Sequence, residues 1–288
     1  MIEVDNREEK FNINDILKKV FLSLQKESDC KHCEIVYAMD KTVPRMFRGN
    51  VKTIEEYLIK VFHFVSRVSK QNEILVEIYG LKEFVYVDDI IFTIKNIKLT
   101  EEDIHTLQKN VEHESNVLDA KLNAYSSTTL TVRVPFTISE IGVRRYYRLP
   151  SKSLLQKNVL IIAESKNITL SITKMFKYFS CNVDMGIQKY QEGEYDLSQY
   201  HLIVVEDQLM TENLNLACKT IQKSNNMKVV ILGNMQCLPL SNKSSITSSL
   251  AKPVTQESIF ELIISIFSDE YNSSDYLKNR KKQNRWQA

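Results

Sequence analysis

The sequence predicts two domains: an α+β sandwich over residues 11–136 and, after a connector, an α/β doubly wound domain with a five-stranded parallel sheet over residues 158–270. Three observations predict this. In the second half, short runs made wholly of Val, Ile and Leu alternate with helix-period segments, which is how strands covered by helices on both sides read. In the first half, helical stripes and strand candidates alternate less regularly and close on a long β-branched strand, the order of an α+β layer. The chain has 288 residues and is 43% hydrophobic, enough for two cores.

Taken in order, residues 1–10 are charged and are expected to be a disordered N-terminus. From Phe11 a helix is predicted, because Ile13, Ile16, Leu17, Val20, Phe21 and Leu24 fall at 0, +3, +4, +7, +8 and +11 and share one face. It ends near Ser28-Asp29. Cys30-Lys31-His32-Cys33 has the spacing of half a zinc site. No second Cys-x-x-Cys exists and His63, His105, His113 and His201 are scattered, so a loop before a strand is the reading adopted.

Glu34–Met39 reads as a strand. Thr53, with Glu56 three residues on, is a capping-box pattern that opens a second helix with the stripe Ile54, Tyr57, Leu58, Val61, Phe62 and Val65. Residues 74–78 and 85–94 are strand candidates around a turn near Gly80. Thr100 caps a third helix carrying Ile104, Leu107 and Val111. Residues 125–136 alternate as a strand, which Pro135 is expected to stop.

This order of elements resembles the ATP-binding domain of sensor histidine kinases. The residues that carry the resemblance are the helix led by Phe11, Val43-Pro44 and Gly49-Asn50 before the main helix, and the Ser-rich strand running from Ser126 into Pro135. The family's nucleotide residues are replaced. Its two helix asparagines, four residues apart, fall on Lys60 and Phe64, and its Asp-x-Gly-x-Gly loop falls on Ile94, Asn96 and Lys98. The glycine-rich lid falls on residues 112–123, which contain no glycine. A phosphate cradle needs glycine for close backbone approach and positive φ. The resemblance therefore implies a degenerate ATPase domain that does not bind ATP. The family's phosphoacceptor helical hairpin would precede Phe11 and is expected to be absent.

In the second half, residues 159–163 form an apolar run. Ile168, Ile172, Met175, Phe176 and Phe179 then make a helical stripe at 0, +4, +7, +8 and +11. Strands are predicted at Asn182–Met185, Leu202-Ile203-Val204-Val205, Val229-Val230-Ile231-Leu232 and Leu250-Ala251. Helices are predicted at residues 214–221 and through Ile259, Leu262, Ile263, Ile266 and Phe267. With Lys252-Pro253-Val254-Thr255 after the last strand, the segment resembles the receiver domain of bacterial response regulators, whose lysine at this place reaches a phosphoryl group.

Receivers hold Mg²⁺ with two acids after the first strand and phosphorylate an Asp at the end of the third, because a hard cation needs carboxylate oxygens. Here the acid pair reads Ala163-Glu164, the aligned acceptor position is Glu206 with Asp207 one step on, and the hydroxyl position after the fourth strand is Gly233. A one-residue step points a strand side chain to the other face, so Asp207 substitutes only if the strand end is bulged. Two readings of Glu206 stand. Either it permanently imitates the phosphorylated acid, paired with Lys252, or the site has drifted out of use; the second is favoured because a carboxylate lacks the phosphoryl's charge and three oxygens. The face carried over as a docking surface is residues 238–267, with a polar fourth helix at 241–245 and Gln256, Ser258 and Glu261 pointing outward from the fifth.

Residues 137–157, with Arg144, Arg145, Arg148, Pro150 and Ser151, read as a basic linker, and residues 271–288 as a basic tail carrying Lys278, Arg280, Lys281, Lys282, Arg285 and Trp286. A formal net charge of +2 argues against nucleic acid as the main partner. The absence of an apolar span or signal-peptide pattern, with five cysteines, points to a reduced cytoplasmic protein.

The function expected is a non-catalytic two-component signalling protein. It would need no cofactor or metal and would act on other signalling proteins: a kinase, a regulator or a second copy. The alternatives are a Mg²⁺-dependent phosphoacceptor using Glu164, Asp207 and Lys252, and a regulator touching nucleic acid through its tail.

Overall fold

In the computed structural model, which describes residues 8–26, 33–80, 86–140, 147–149, 154–187, 196–234 and 245–267, the contacts divide the chain into Met1–Tyr146 and Tyr147–Ala288. In the first unit the chain runs β1 Glu9–Asn12, α1 Ile13–Lys26, β2 Glu34–Met39, β3 Met46–Gly49, α2 Val51–Ser69, β4 Glu73–Gly80 and β5 Val87–Lys95. It continues with α3 Glu101–Asn110, α4 Glu112–Leu118, β6 Lys121–Ser126 and β7 Thr129–Ile138. The strands form one sheet in the order β1-β3-β7-β5-β4-β2, with β6 also on β7. Only β2 and β4 run parallel; the other pairs are antiparallel.

The core follows from period. Ile74, Val76 and Ile78 of β4, and Ile90, Phe92 and Ile94 of β5, alternate onto one sheet face. There they join the stripes of α1 and α2 in one apolar cluster.

Four expectations are corrected in this unit. Glu9–Asn12 is an ordered edge strand paired with Met46–Gly49, so the N-terminal segment is not frayed up to residue 10. Phe11 anchors it against Phe47 and Phe136, with ring centroids 5.8 Å from each. Burying that ring is worth about 1.5–3 kcal/mol and adds to the ladder bonds that hold the strand on the sheet. The first helix consequently starts at Ile13.

The second helix is capped by Asn50, whose side chain accepts from the Thr53 N–H at 3.1 Å; Asn is a stronger cap than Thr and stands three residues earlier.

The closing strand passes through Pro135 to Ile138. Ile138 N–H donates to Tyr86 O of the β5 side and Ser139 N–H to Met46 O on the opposite edge, so alternation turns the nitrogen of residue 135 to that opposite edge. There the β6 register stops at Arg133 and the β3 register starts at Thr137, so the missing N–H interrupts no ladder bond.

The fourth correction is to the linker. Thr137 and Ile138 belong to β7, and Tyr147, Leu154 and Lys157 are buried parts of the second unit. Tyr147 packs edge-on against Tyr178 and Phe179 and lies 5.5 Å from Phe260. Arg148 is exposed. Arg144, Arg145, Pro150 and Ser151 lie outside the described residues, as do Cys30, Lys31, His32 and the tail 271–288.

The second unit runs β8 Asn158–Ile162, α5 Lys166–Tyr178, β9 Asn182–Met185, β10 Leu202–Glu206, α6 Glu212–Gln222, β11 Lys228–Asn234, β12 Ser248–Lys252 and α7 Gln256–Ile266. Its five strands are all parallel, in the order β12-β11-β10-β8-β9. Counted along this unit the order is 2-1-3-4-5, so the connections reverse direction between β8 and β10. Open α/β sheets present their sites outside the strands' C-terminal ends at such a reversal.

Candidate functional site

The C-terminal ends of β8, β10 and β12 bring together Glu164, Glu206 and Lys252. Glu206 is the last residue of β10 and is buried. Lys252, the last residue of β12, puts its Nζ 2.6 Å from Glu206 Oε1, with side chains 10% and 7% exposed. The other carboxylate oxygen accepts the backbone N–H of Glu164 at 2.9 Å. Each oxygen therefore has a donor, and the single negative charge faces a lysine in a site nearly closed to water. Charge-assisted bonds of this kind are short and are about twice as strong as neutral ones.

The Glu164 side chain is bonded elsewhere, and Asp207 lies beyond the strand. Glu164 is exposed and its carboxylate accepts from Gln208 Nε2 at 3.3 Å. Asp207 is not the last strand residue; β10 ends at Glu206 and Asp207 opens a 3₁₀ turn, Asp207–Leu209. Gly233 lies inside β11 opposite Ala251 rather than after the strand, and Asn234 ends it opposite Lys252. Ala163 is buried. Among the described residues no group of three or more His, Cys, Asp or Glu side chains is placed to hold a metal ion.

The positions aligned with a nucleotide site in the first unit are also accounted for. Lys60 of α2 puts its Nζ 2.8 Å from Glu114 Oε1 of α4. Phe64 and Ile94 are buried in the apolar cluster, where neither can read a base. Asn96 takes a left-handed backbone, φ 60°, and donates from Nδ2 to Glu73 O at 2.6 Å; Lys98 is exposed. The stretch 112–123, expected as the counterpart of a lid, is instead helix α4 followed by the start of β6.

No protein-family profile matches the chain, and no curated protein matches its sequence. Among solved structures, full-length histidine kinase ShkA in complex with AMPPNP aligns with 91% of this chain at a TM-score of 0.65 and 9% identity. The chain has a histidine-kinase catalytic fold followed by a receiver fold. It spans 58% of the length of ShkA.

The Mycobacterial sensor histidine kinase MprB aligns with 46% of this chain and 99% of its own, at 10% identity and a TM-score of 0.36. A two-component response regulator from Clostridium difficile aligns with 41% of this chain and 100% of its own, at 17% identity and a TM-score of 0.31. At these scores the two part-chain matches add nothing to the first.

The receiver-type unit departs from expectation in its last helix. Gln256 does not point outward; it is buried and donates from Nε2 to Met175 O of α5 at 3.2 Å. Ser258 is half-buried in a reciprocal cap with Thr255, which leaves Glu261 as the exposed member of the three. Residues 241–244 of the expected fourth helix lie outside the described residues. Ser245 is buried, its Oγ bonded to Asn215 and its carbonyl accepting from Gln222 at 2.8 Å.

Sequence reasoning missed Glu114 and Gln208. Glu114 stands 54 residues from its partner, inside a charged stretch that reads as a solvated face, so no local signal marks it. Gln208 directly follows the acid pair Glu206-Asp207, and only the turn after β10 brings it to Glu164. Among the described residues no helix is long and apolar enough to cross a membrane.

Proposed function

We propose that the chain is a two-component-type signalling module that works by binding other proteins and carries out neither nucleotide nor phosphoryl chemistry. The observation that carries the reading is the Glu206–Lys252 pair. In a phosphoacceptor site carboxylates hold a divalent cation beside the residue that takes the phosphoryl group. Here the lysine is committed to a buried carboxylate whose second oxygen is already bonded to the Glu164 N–H. The pair gives the C-terminal edge of the sheet one arrangement without any modification, and a module with one arrangement serves as a constitutive binding surface.

The first unit supports the same reading. Lys60 is paired with Glu114 where the family carries its metal-binding asparagine, and α4 stands where a glycine lid would lie. Partners are other signalling proteins, since the net charge of +2 offers nucleic acid little overall attraction. The rival in which Glu164, Asp207 and Lys252 build a Mg²⁺-dependent acceptor requires Lys252 to leave Glu206 and Asp207 to turn out of its 3₁₀ turn.

Two measurements on the full chain test the proposal. Calorimetry with MgATP is expected to show no binding at millimolar nucleotide, and acetyl phosphate with Mg²⁺ is expected to leave no acid-stable, base-labile phosphate. Saturable ATP binding, or a label lost in Asp207→Asn, would overturn it. With a partner in hand, Glu206→Ala is expected to weaken the complex while the unit stays folded; unaltered affinity would remove the constitutive pair from the mechanism.

A further inference from the structure

Helix α4 is seven residues long, and Glu114 is its one buried residue. A helix is ordinarily held on its neighbour by an apolar stripe. In α4, Val117 is 42% exposed and Leu118 only partly buried against the core. The preceding helix α3 contrasts with it: Leu107 is fully buried, and Thr100 and Asp103 close a capping box. The N-terminus of α4 has no side-chain cap, and the single residue Val111 joins the two helices. The polar ties of α4 to α2 are a carboxylate on a lysine and the Ser115 hydroxyl beside the Tyr57 phenol, and the first is the one that carries charge.

That carboxylate is only half satisfied. Glu114 Oε1 meets Lys60 Nζ at 2.8 Å, whereas Glu114 Oε2 is buried with no hydrogen-bond partner. Beside it, burial raises the pKa of the Tyr57 phenol, with the Ser115 hydroxyl lowering it in part. A buried charge with one unbonded oxygen opposes closure, and the ion pair with a lysine whose side chain is 45% exposed holds it closed. An element balanced in this way opens locally at lower cost than the helices around it.

We propose that α4 is a charge-latched flap, docked on α2 by the Glu114–Lys60 pair, and that its release is a conformational switch built into the first unit. Opening breaks the pair, returns both charges to water and turns a neutralised surface of α2 into one presenting the Lys60 ammonium. The junction at Val111 is the pivot, because the α3 cap and the Leu107 contact stay in place when α4 leaves. The inference stands apart from the identity of any partner.

Hydrogen exchange of the full chain, read by mass spectrometry over residues 101–120, tests it. In Glu114→Gln and in Lys60→Met the α4 amides are expected to exchange about ten-fold faster, the effect of losing one charge-assisted hydrogen bond, while α2 and α3 keep their rates. The double variant Lys60→Met/Glu114→Leu is expected to restore protection, since an apolar pair of similar volume docks without a charge to compensate. Raising NaCl to about 1 M, where the screening length is about 3 Å, is expected to speed α4 exchange in the unaltered protein. Unchanged α4 rates in both single variants, or a rise spread equally over the whole unit, would overturn the latch.

Discussion

Replacing Lys252 by Met isolates what the buried pair contributes to the receiver-type unit. The substitution keeps the length and apolar stem of the side chain and removes only the charge. Glu206, 7% exposed, then retains one donor, the Glu164 N–H at 2.9 Å. Breaking a buried ion pair costs about 3–5 kcal/mol because the surviving charge is uncompensated. The backbone donor that remains places the expected loss at the bottom of that range, about 3 kcal/mol. With a slope of about 2 kcal/mol per molar urea, the midpoint of the second unit falls by about 1.5 M. Urea titration of the full chain, read by exchange of peptides covering β8 and β10, follows this unit separately. The companion variant Lys252→Met/Glu206→Leu is expected to recover most of the loss, since no charge is then left behind. A shift under about 0.5 M in Lys252→Met would equate the pair with an exposed surface bridge and refute its role in holding the site.

Burial pushes the thiols of Cys181 and Cys218 from 9.0 up to about 11, so the stability tied to them is fully present below pH 9 and is lost as pH rises towards 11. Each thiol is expected to lower unfolding free energy by about 1.4 kcal/mol per pH unit across that window, and Cys218→Ala to flatten the slope in a series of urea titrations. Asn50→Ala removes the cap of α2 and is expected to cost the first unit about 1 kcal/mol, measurable in the same titrations. Pro135→Val is expected to change stability by less than about 0.5 kcal/mol, because the restored N–H faces the gap between the β6 and β3 registers; a clear gain would mean that it finds an acceptor there.

The three central parallel strands could be read directly from the chain because each is built on a short apolar run with no polar face: Leu160 to Ile162, Ile203 to Val205 and Val229 to Leu232 have nowhere to go except between two helical layers, whereas the edge strands Asn182–Met185 and Ser248–Lys252 carry polar residues and were placed by their position in the alternation. The helical stripes of α1, α2, α5 and α7 were legible for the same kind of reason, since a 3.6-residue period names its buried face whatever it packs on. The candidate pair Glu206 and Lys252 was reached through position in that order, each closing a strand that ends on the same sheet edge. What sequence could not supply was anything decided by a distant partner. Residues 9–12 look like a charged end until Phe11 meets Phe47 and Phe136 across the sheet. Pro135 looks like a stop until the strand registers place its nitrogen on an edge with no partner. Gln256 looks like a surface residue until the carbonyl of Met175, 81 positions away, receives it. Glu114 looks like one more solvated acid in Glu112-His113-Glu114 until α2 offers Lys60. Local pattern reports a residue's own face and period, whereas the sign of a buried polar contact depends on which group the rest of the chain brings within about 3 Å, and only the folded tertiary structure determines that distance.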